Sequence, residues 1–202
     1  MIPGRFQSVL NLVGGPPPGR FSRRGRRSHG WRSAKSLLNW LAVLLVFFPV
    51  LAMAAPEREM LLDLEGRPHF LDEYVGHGKW LVVMVWASDC AVCNREVHEL
   101  IAFHQAHRET DATVLGISVD GPGGRENALA FIKRHGVNFP NLLDDGKAFK
   151  AIYLRSTGRP WFGGTPMNLV YSPSGELLAR RIGPLGKAEL EAFIRQAGER
   201  KQ

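Results

Sequence analysis

Residues 79–88, KWLVVMVWAS, form an unbroken apolar and β-branched run with no turn residue inside it. A strand with one wet face alternates apolar and polar residues, so an unbroken run of strand length predicts a β-strand covered on both faces. Cys90 and Cys93, the only two cysteines of the chain, come directly after it. From Cys93 onward, Val97, Leu100, Ile101 and His104 recur at helical spacing. The sequence thus places a Cys-x-x-Cys pair where a central strand ends and a helix begins.

Two thiols at this spacing can serve as a metal clip, a structural staple or a redox couple. A zinc site needs about four ligands, usually with a second Cys or His pair. The nearby imidazoles are His98, His104 and His107, of which only His104 and His107 share a helix face. A staple across two intervening residues closes a very small loop and removes little entropy from the unfolded chain. The redox reading is favoured by position. A helix N-terminus offers unpaired amides and the positive end of the dipole, which stabilise a thiolate and lower the pKa of the first cysteine. The second cysteine, one turn in, is placed to resolve a mixed disulfide.

Charge is distributed unevenly. Of 26 Lys and Arg residues, eight lie in residues 1–54, which hold no acid, leaving eighteen bases against nineteen acids in the remainder. The basicity belongs to the front end, and the remainder has no electrostatic footprint for nucleic acid. The basic stretch precedes an uncharged run over residues 37–56, LLNWLAVLLVFFPVLAMAAP, which closes in small residues. This order predicts a signal peptide that directs the following chain out of the cytoplasm, with an uncleaved membrane anchor as the other reading of the same twenty residues. Residues 1–55 are expected to be a targeting segment and residues 57–202 the folded domain. In an oxidising compartment an adjacent thiol pair stays reduced only if something reduces it.

Downstream, residues 113–120 (TVLGISVD) predict a second buried strand. Residues 125–136 (RENALAFIKRHG) predict a helix with Ala128, Phe131 and Ile132 on one face. The glycines of GPGG match no phosphate-binding fingerprint and read as a turn. FPNLLDD (139–145) reads as a short edge element, and PMNLVYS (166–172) with LLARRIG (177–183) flanks a PSGE turn as a hairpin. The terminal GKAELEAFIRQAGERK is amphipathic, and residues 61–75 read as a hairpin and turn packed on the sheet edge.

Taken in order, VWASDCAVCNREVHEL, GISVD, FIKRHGVNFPNLLDDGKA and GTPMNLVYSPSGELLARRIG resemble the thioredoxin superfamily. Within it they are similar to the exported TlpA/ResA-like thiol-disulfide oxidoreductases. The resemblance covers about residues 57 to 200. It implies an α/β thioredoxin-like fold, a central mixed β-sheet flanked by helices. It also implies Cys90 as nucleophile, Cys93 as resolving cysteine and Glu96 as an acid/base group for the thiols. Pro166 would be a cis-proline facing the disulfide, and Thr165, Pro166 and Trp86 would form the substrate-binding surface. Partners implied are client proteins with disulfides or thiols and a membrane or exported thiol electron donor, with no metal and no other cofactor.

Three departures stand against this pattern. Family members usually carry Trp before the first cysteine where this chain has Asp89, and a carboxylate beside a thiolate opposes its ionisation. The intervening Ala91-Val92 lacks the common proline. The link over residues 152–164, IYLRSTGRPWFGG, is longer than usual, and its Trp161 and Phe162 read either as a cover over the site or as core packing and surface loop. Other readings of the fold are a copper or metal-binding chaperone, which uses wider cysteine spacing and a distant His, and a peroxiredoxin-like antioxidant enzyme. The latter's nucleophile follows a P-x-x-x-T-x-x-C pattern that the MVWASD stretch lacks.

Overall fold

The computed structural model describes residues 58–199. The basic stretch and the apolar run over 37–56, with the leader or anchor expected there, lie outside the described residues. Among the described residues no helix is long and apolar enough to cross a membrane.

The domain is built on one seven-stranded sheet. Its strands are β1 (Met60–Asp63), β2 (Pro68–Phe70), β3 (Trp80–Trp86), β4 (Ala112–Ser118), β5 (Asn141–Leu143), β6 (Met167–Tyr171) and β7 (Leu177–Ile182). The order across the sheet is β2-β1-β5-β4-β3-β6-β7. β3, β4 and β5 run parallel, and β1–β2, β1–β5, β3–β6 and β6–β7 pair antiparallel, so the sheet is mixed. Four helices pack on it: α1 (Ala91–His107), α2 (Arg125–His135), α3 (Lys147–Thr157) and α4 (Lys187–Glu199).

β3 shows why the apolar run cannot alternate. Val82, Met84 and Trp86 face a core layer with Val97, Leu100 and Phe103 of α1, Phe131 of α2 and Leu190 of α4. Leu81, Val83 and Val85 face the opposite layer with Phe149, Ile152 and Tyr153 of α3. All seven β3 residues are buried, the expected state for a strand whose side chains alternate between two covered faces.

Two expectations are corrected. β5 is no edge element: it lies between β1 and β4, because the β1–β2 hairpin extends the sheet beyond it. The sequence reading also gave no helix between β5 and β6. α3 forms there with Phe149, Ile152 and Tyr153 buried on one side, between Gly146 and Gly158, both at positive φ. The expected overlong link therefore shortens to residues 158–164.

Candidate functional site

β3 ends at Trp86, and its carbonyl accepts a hydrogen bond from Val119 N at 2.8 Å, which ties the end of β3 to the end of β4. The next turn is held by Asp120. Its two carboxylate oxygens each accept from Ser88 N at 3.1 Å, and the same carboxylate accepts from Ser88 Oγ at 2.9 Å and Ser118 Oγ at 2.7 Å. A carboxylate that collects these donors fixes the direction in which the chain leaves the sheet.

That direction puts Cys90 at the N-cap of α1, with φ −71° and ψ 109°. Cys93 N–H points at Cys90 Sγ, 3.1 Å away, one of the amides that a helix leaves unpaired at its start. The two sulfurs are joined as a disulfide, with Cα atoms 5.2 Å apart. Cys93 is fully buried while Cys90 is partly exposed, so an approaching group reaches Cys90 first. In the reduced pair the same amide and the helix dipole favour the Cys90 thiolate.

Asn94 locks the loop from inside. Its Nδ2 donates to Ser88 O at 3.0 Å and Cys90 O at 2.9 Å, both of which only accept, and this fixes its Oδ1 as an acceptor. Oδ1 receives Arg134 Nη2 at 2.7 Å and His135 Nε2 at 2.9 Å from the C-terminal turn of α2. Burial, with Arg134 beside it, holds His135 below the usual histidine range, so its neutral Nε2–H tautomer fits this contact.

Opposite the disulfide lies the turn before β6. The Thr165–Pro166 bond is cis, and Thr165 O stands 3.3 Å from Cys90 Sγ. Pro166 is buried, and its carbonyl accepts from Gly183 N at 2.8 Å, anchoring the turn to the end of β7.

The structure thus brings Cys90, Cys93, Thr165 and Pro166 together. Glu96 lies one turn past Cys93 in α1, partly buried, and its carboxylate makes no hydrogen bond or ion pair to another described residue. Trp86 stands elsewhere. It is 1% exposed, stacks on Phe131 with centroids 4.2 Å apart, and donates from Nε1 to Asn141 Oδ1 at 3.0 Å. A Cβ on Gly116 would collide with that Asn141 oxygen, so a glycine on β4 makes room for the bond. Trp86 offers no surface to a client and acts as a core strut under the site. Trp161 is also buried, edge-on to Phe149 at 4.9 Å, whereas Phe162 is 91% exposed. Asp89, beside the nucleophile position, is exposed.

Asp120 and Asn94 escaped the sequence reading. Asp120 could have been found: the ends of adjacent parallel strands lie side by side, and a polar residue just past one is within reach of the loop that leaves the other. His104 is buried against Phe139 and accepts from Val114 N at 3.1 Å, a core role. His107 bonds Asp111 and Glu191. Among the described residues no group of three or more His, Cys, Asp or Glu side chains is placed to hold a metal ion.

A family model described as AhpC/TSA family matches residues 51–179. Among named proteins, the thiol-disulfide oxidoreductase ResA of Geobacillus thermodenitrificans is 32% identical over 85 residues, 42% of this chain and 47% of that one. The chain therefore spans about half the length of that relative. ResA of Geobacillus kaustophilus is 24% identical over 135 residues, 67% of this chain and 71% of that one. Among solved structures, a thiol:disulfide interchange protein of the thioredoxin family from Chlorobium tepidum aligns with TM-score 0.56 at 21% identity, over 72% of this chain and 99% of that one. A secreted disulfide oxidoreductase of Mycobacterium tuberculosis, described as homologous to E. coli DsbE, aligns with TM-score 0.52 at 23% identity, over 68% of this chain and 94% of that one. These neighbours share the thioredoxin-like fold.

Proposed function

The chain belongs to the AhpC/TSA family, and from that footing we propose that it is a thiol-disulfide oxidoreductase whose Cys90/Cys93 pair exchanges with disulfides of client proteins. The observation that carries this reading is the disulfide at the N-terminus of α1, with the partly exposed sulfur facing Thr165 O and the buried one behind it.

The reaction in the reducing direction has two steps. The Cys90 thiolate attacks one sulfur of a client disulfide, forming a Cys90–client bond and releasing one client thiolate. The Cys93 thiolate then attacks Cys90 Sγ, closes the Cys90–Cys93 disulfide and releases the second client sulfur. Two electrons pass to the client, and the protons of the two protein thiols end on the client thiols. Glu96, one turn beyond Cys93, is the group we assign to take the resolving thiol's proton. Thr165 and Pro166 form the ledge along which an extended client segment lies. Net reduction is the assigned direction, with a membrane or exported thiol protein as the electron source. Residues 1–55 export or anchor the domain, a reading supported by their charge and apolar order.

The test is a thiol count and metal analysis of the purified full chain, with an insulin-reduction assay. The expected result is two titratable thiols after reductant, none after oxidation, no stoichiometric metal and accelerated insulin reduction. A stoichiometric metal lost on thiol alkylation, with no insulin reduction, overturns the reading in favour of a metal-binding chaperone.

A further inference from the structure

The groove leading away from the Thr165–Pro166 turn carries charge that disulfide exchange itself does not need. Met167, next after the cis-proline, borders a hollow of about 410 Å³ shared with Tyr153, Arg159, Pro160, Arg180, Arg181 and Ile182. Arg159 and Arg180 also border an adjoining hollow of about 350 Å³. No carboxylate lines either hollow.

The two guanidinium groups lack counter-charges among the described residues. Arg159 is held through its backbone, to Thr157 Oγ1. Arg180 Nη1 donates to Tyr153 Oη at 2.8 Å, an uncharged partner that aims the side chain without neutralising it. Arg181, which also lines the larger hollow, differs, since its guanidinium pairs with Glu189 of α4. The body carries eighteen bases against nineteen acids over residues 55–202, so the local positive charge is not the reflection of a basic domain. Two uncompensated cations bordering the same hollows repel one another, and a carboxylate placed between them relieves that repulsion while taking planar, paired hydrogen bonds.

Apolar surface adjoins the charge. Ile182, which lines the larger hollow opposite Met167 in the β6–β7 register, is 66% exposed. The chain at Gly164 runs alongside Ile182. β7 is also the outermost strand at this end of the sheet.

We propose that this groove docks an extended segment of the client that carries acidic side chains beside an apolar one, close to the cysteine being exchanged. The proposal rests on the oxidoreductase reading and names the client chemistry it selects. Arg159 and Arg180 take the carboxylates, and Ile182 takes the apolar residue.

The experiment measures exchange by the full chain with hydroxyethyl disulfide, a small neutral substrate. It then uses three peptide disulfides of one sequence whose flanking residues are Glu, Gln or Lys. The expected result is exchange with the small disulfide and a rate order Glu above Gln above Lys. Each step is about threefold or more, the size a partly exposed ion pair supports, and shrinks at high salt. Arg159→Glu and Arg180→Glu are each expected to flatten the order, and the two together to reverse it. Absence of exchange with every substrate, hydroxyethyl disulfide included, takes down the oxidoreductase reading and this proposal with it. Exchange with the small disulfide at equal rates for the three peptides, or a preference that survives both charge reversals, overturns the docking proposal alone. Binding of anionic vesicles through these arginines without any peptide preference overturns it too, and assigns the groove to a membrane surface.

Discussion

Cys90 Sγ and the carbonyl oxygen of Thr165 stand 3.3 Å apart although seventy-five positions separate them in the chain. The contact joins the start of α1 to the turn before β6, and β3 and β6 bring those two segments together by pairing antiparallel in the centre of the sheet. Under the proposed exchange a client segment lying against Thr165 would meet the outer sulfur, while Cys93 stays fully buried behind it.

Removing the carboxylate that sets the cysteine loop should loosen it. Asp120→Ala leaves Ser88 N and two hydroxyl groups without their acceptor. Partly buried donors deprived of a partner cost about 1–3 kcal/mol. Chemical denaturation of the variant checks this, and an unchanged midpoint would show that water replaces the carboxylate fully. Asp120→Asn, which keeps an acceptor oxygen, should recover part of the loss.

Acid should weaken the packing of α1 through His104. Its ring is 5% exposed and accepts Val114 N–H at 3.1 Å, which only the unprotonated nitrogen can do. Burial, aided by Arg108, holds its pKa below the usual histidine value. The unfolded chain therefore binds this proton more readily than the folded one, so the contribution is complete above about pH 6.5, the ordinary histidine value, and is lost as pH falls below it. His107 acts with opposite sign: hydrogen bonds to Asp111 and Glu191 outweigh its burial and raise it. Its contribution is present below the ordinary value and fades as pH rises through the raised one. Urea midpoints from pH 5 to 8 for the native chain and His104→Gln separate the two. The native chain should lose more stability on acidification than the variant, and identical slopes would remove His104 from the account.

The assignment of Glu96 rests on its place one turn after Cys93 and on a carboxylate with no other partner among the described residues. Glu96→Gln should slow the resolving step, seen as a longer-lived mixed disulfide in rapid-quench experiments, with little change in the denaturation midpoint. A helix-start acid without a catalytic role would instead cost roughly 0.3–1 kcal/mol of dipole stabilisation and leave the resolving rate alone.

Much of this was legible before any coordinate. The doubly covered strand β3, the helix after the cysteines and the final hairpin all follow from runs and spacings within short stretches, whereas the proline facing the pair came from the family resemblance. What escaped depends on contacts between distant segments. Asp120 reads as a plain strand-end acid until β4 is laid beside β3. Asn94 reads as an ordinary first-turn residue until the end of α2 supplies Arg134 and His135. The resemblance puts Trp86 on the substrate surface, but strand alternation turns it into the core onto Phe131. α3 carried a readable signal, Phe149, Ile152 and Tyr153 between two glycines. It was hidden by treating the stretch before Thr165 as a connecting link.

The roles of the two cysteines are the centre of the account, and single-cysteine variants test them most directly. Reduced Cys93→Ala and Cys90→Ala are each mixed with a peptide disulfide at neutral pH, and the adducts are mapped by mass spectrometry. The account predicts that Cys93→Ala accumulates a stable mixed disulfide through Cys90, while Cys90→Ala, whose remaining thiol is buried, reacts far more slowly. Rapid adduct formation through Cys93, with Cys90 the slower thiol, would contradict it.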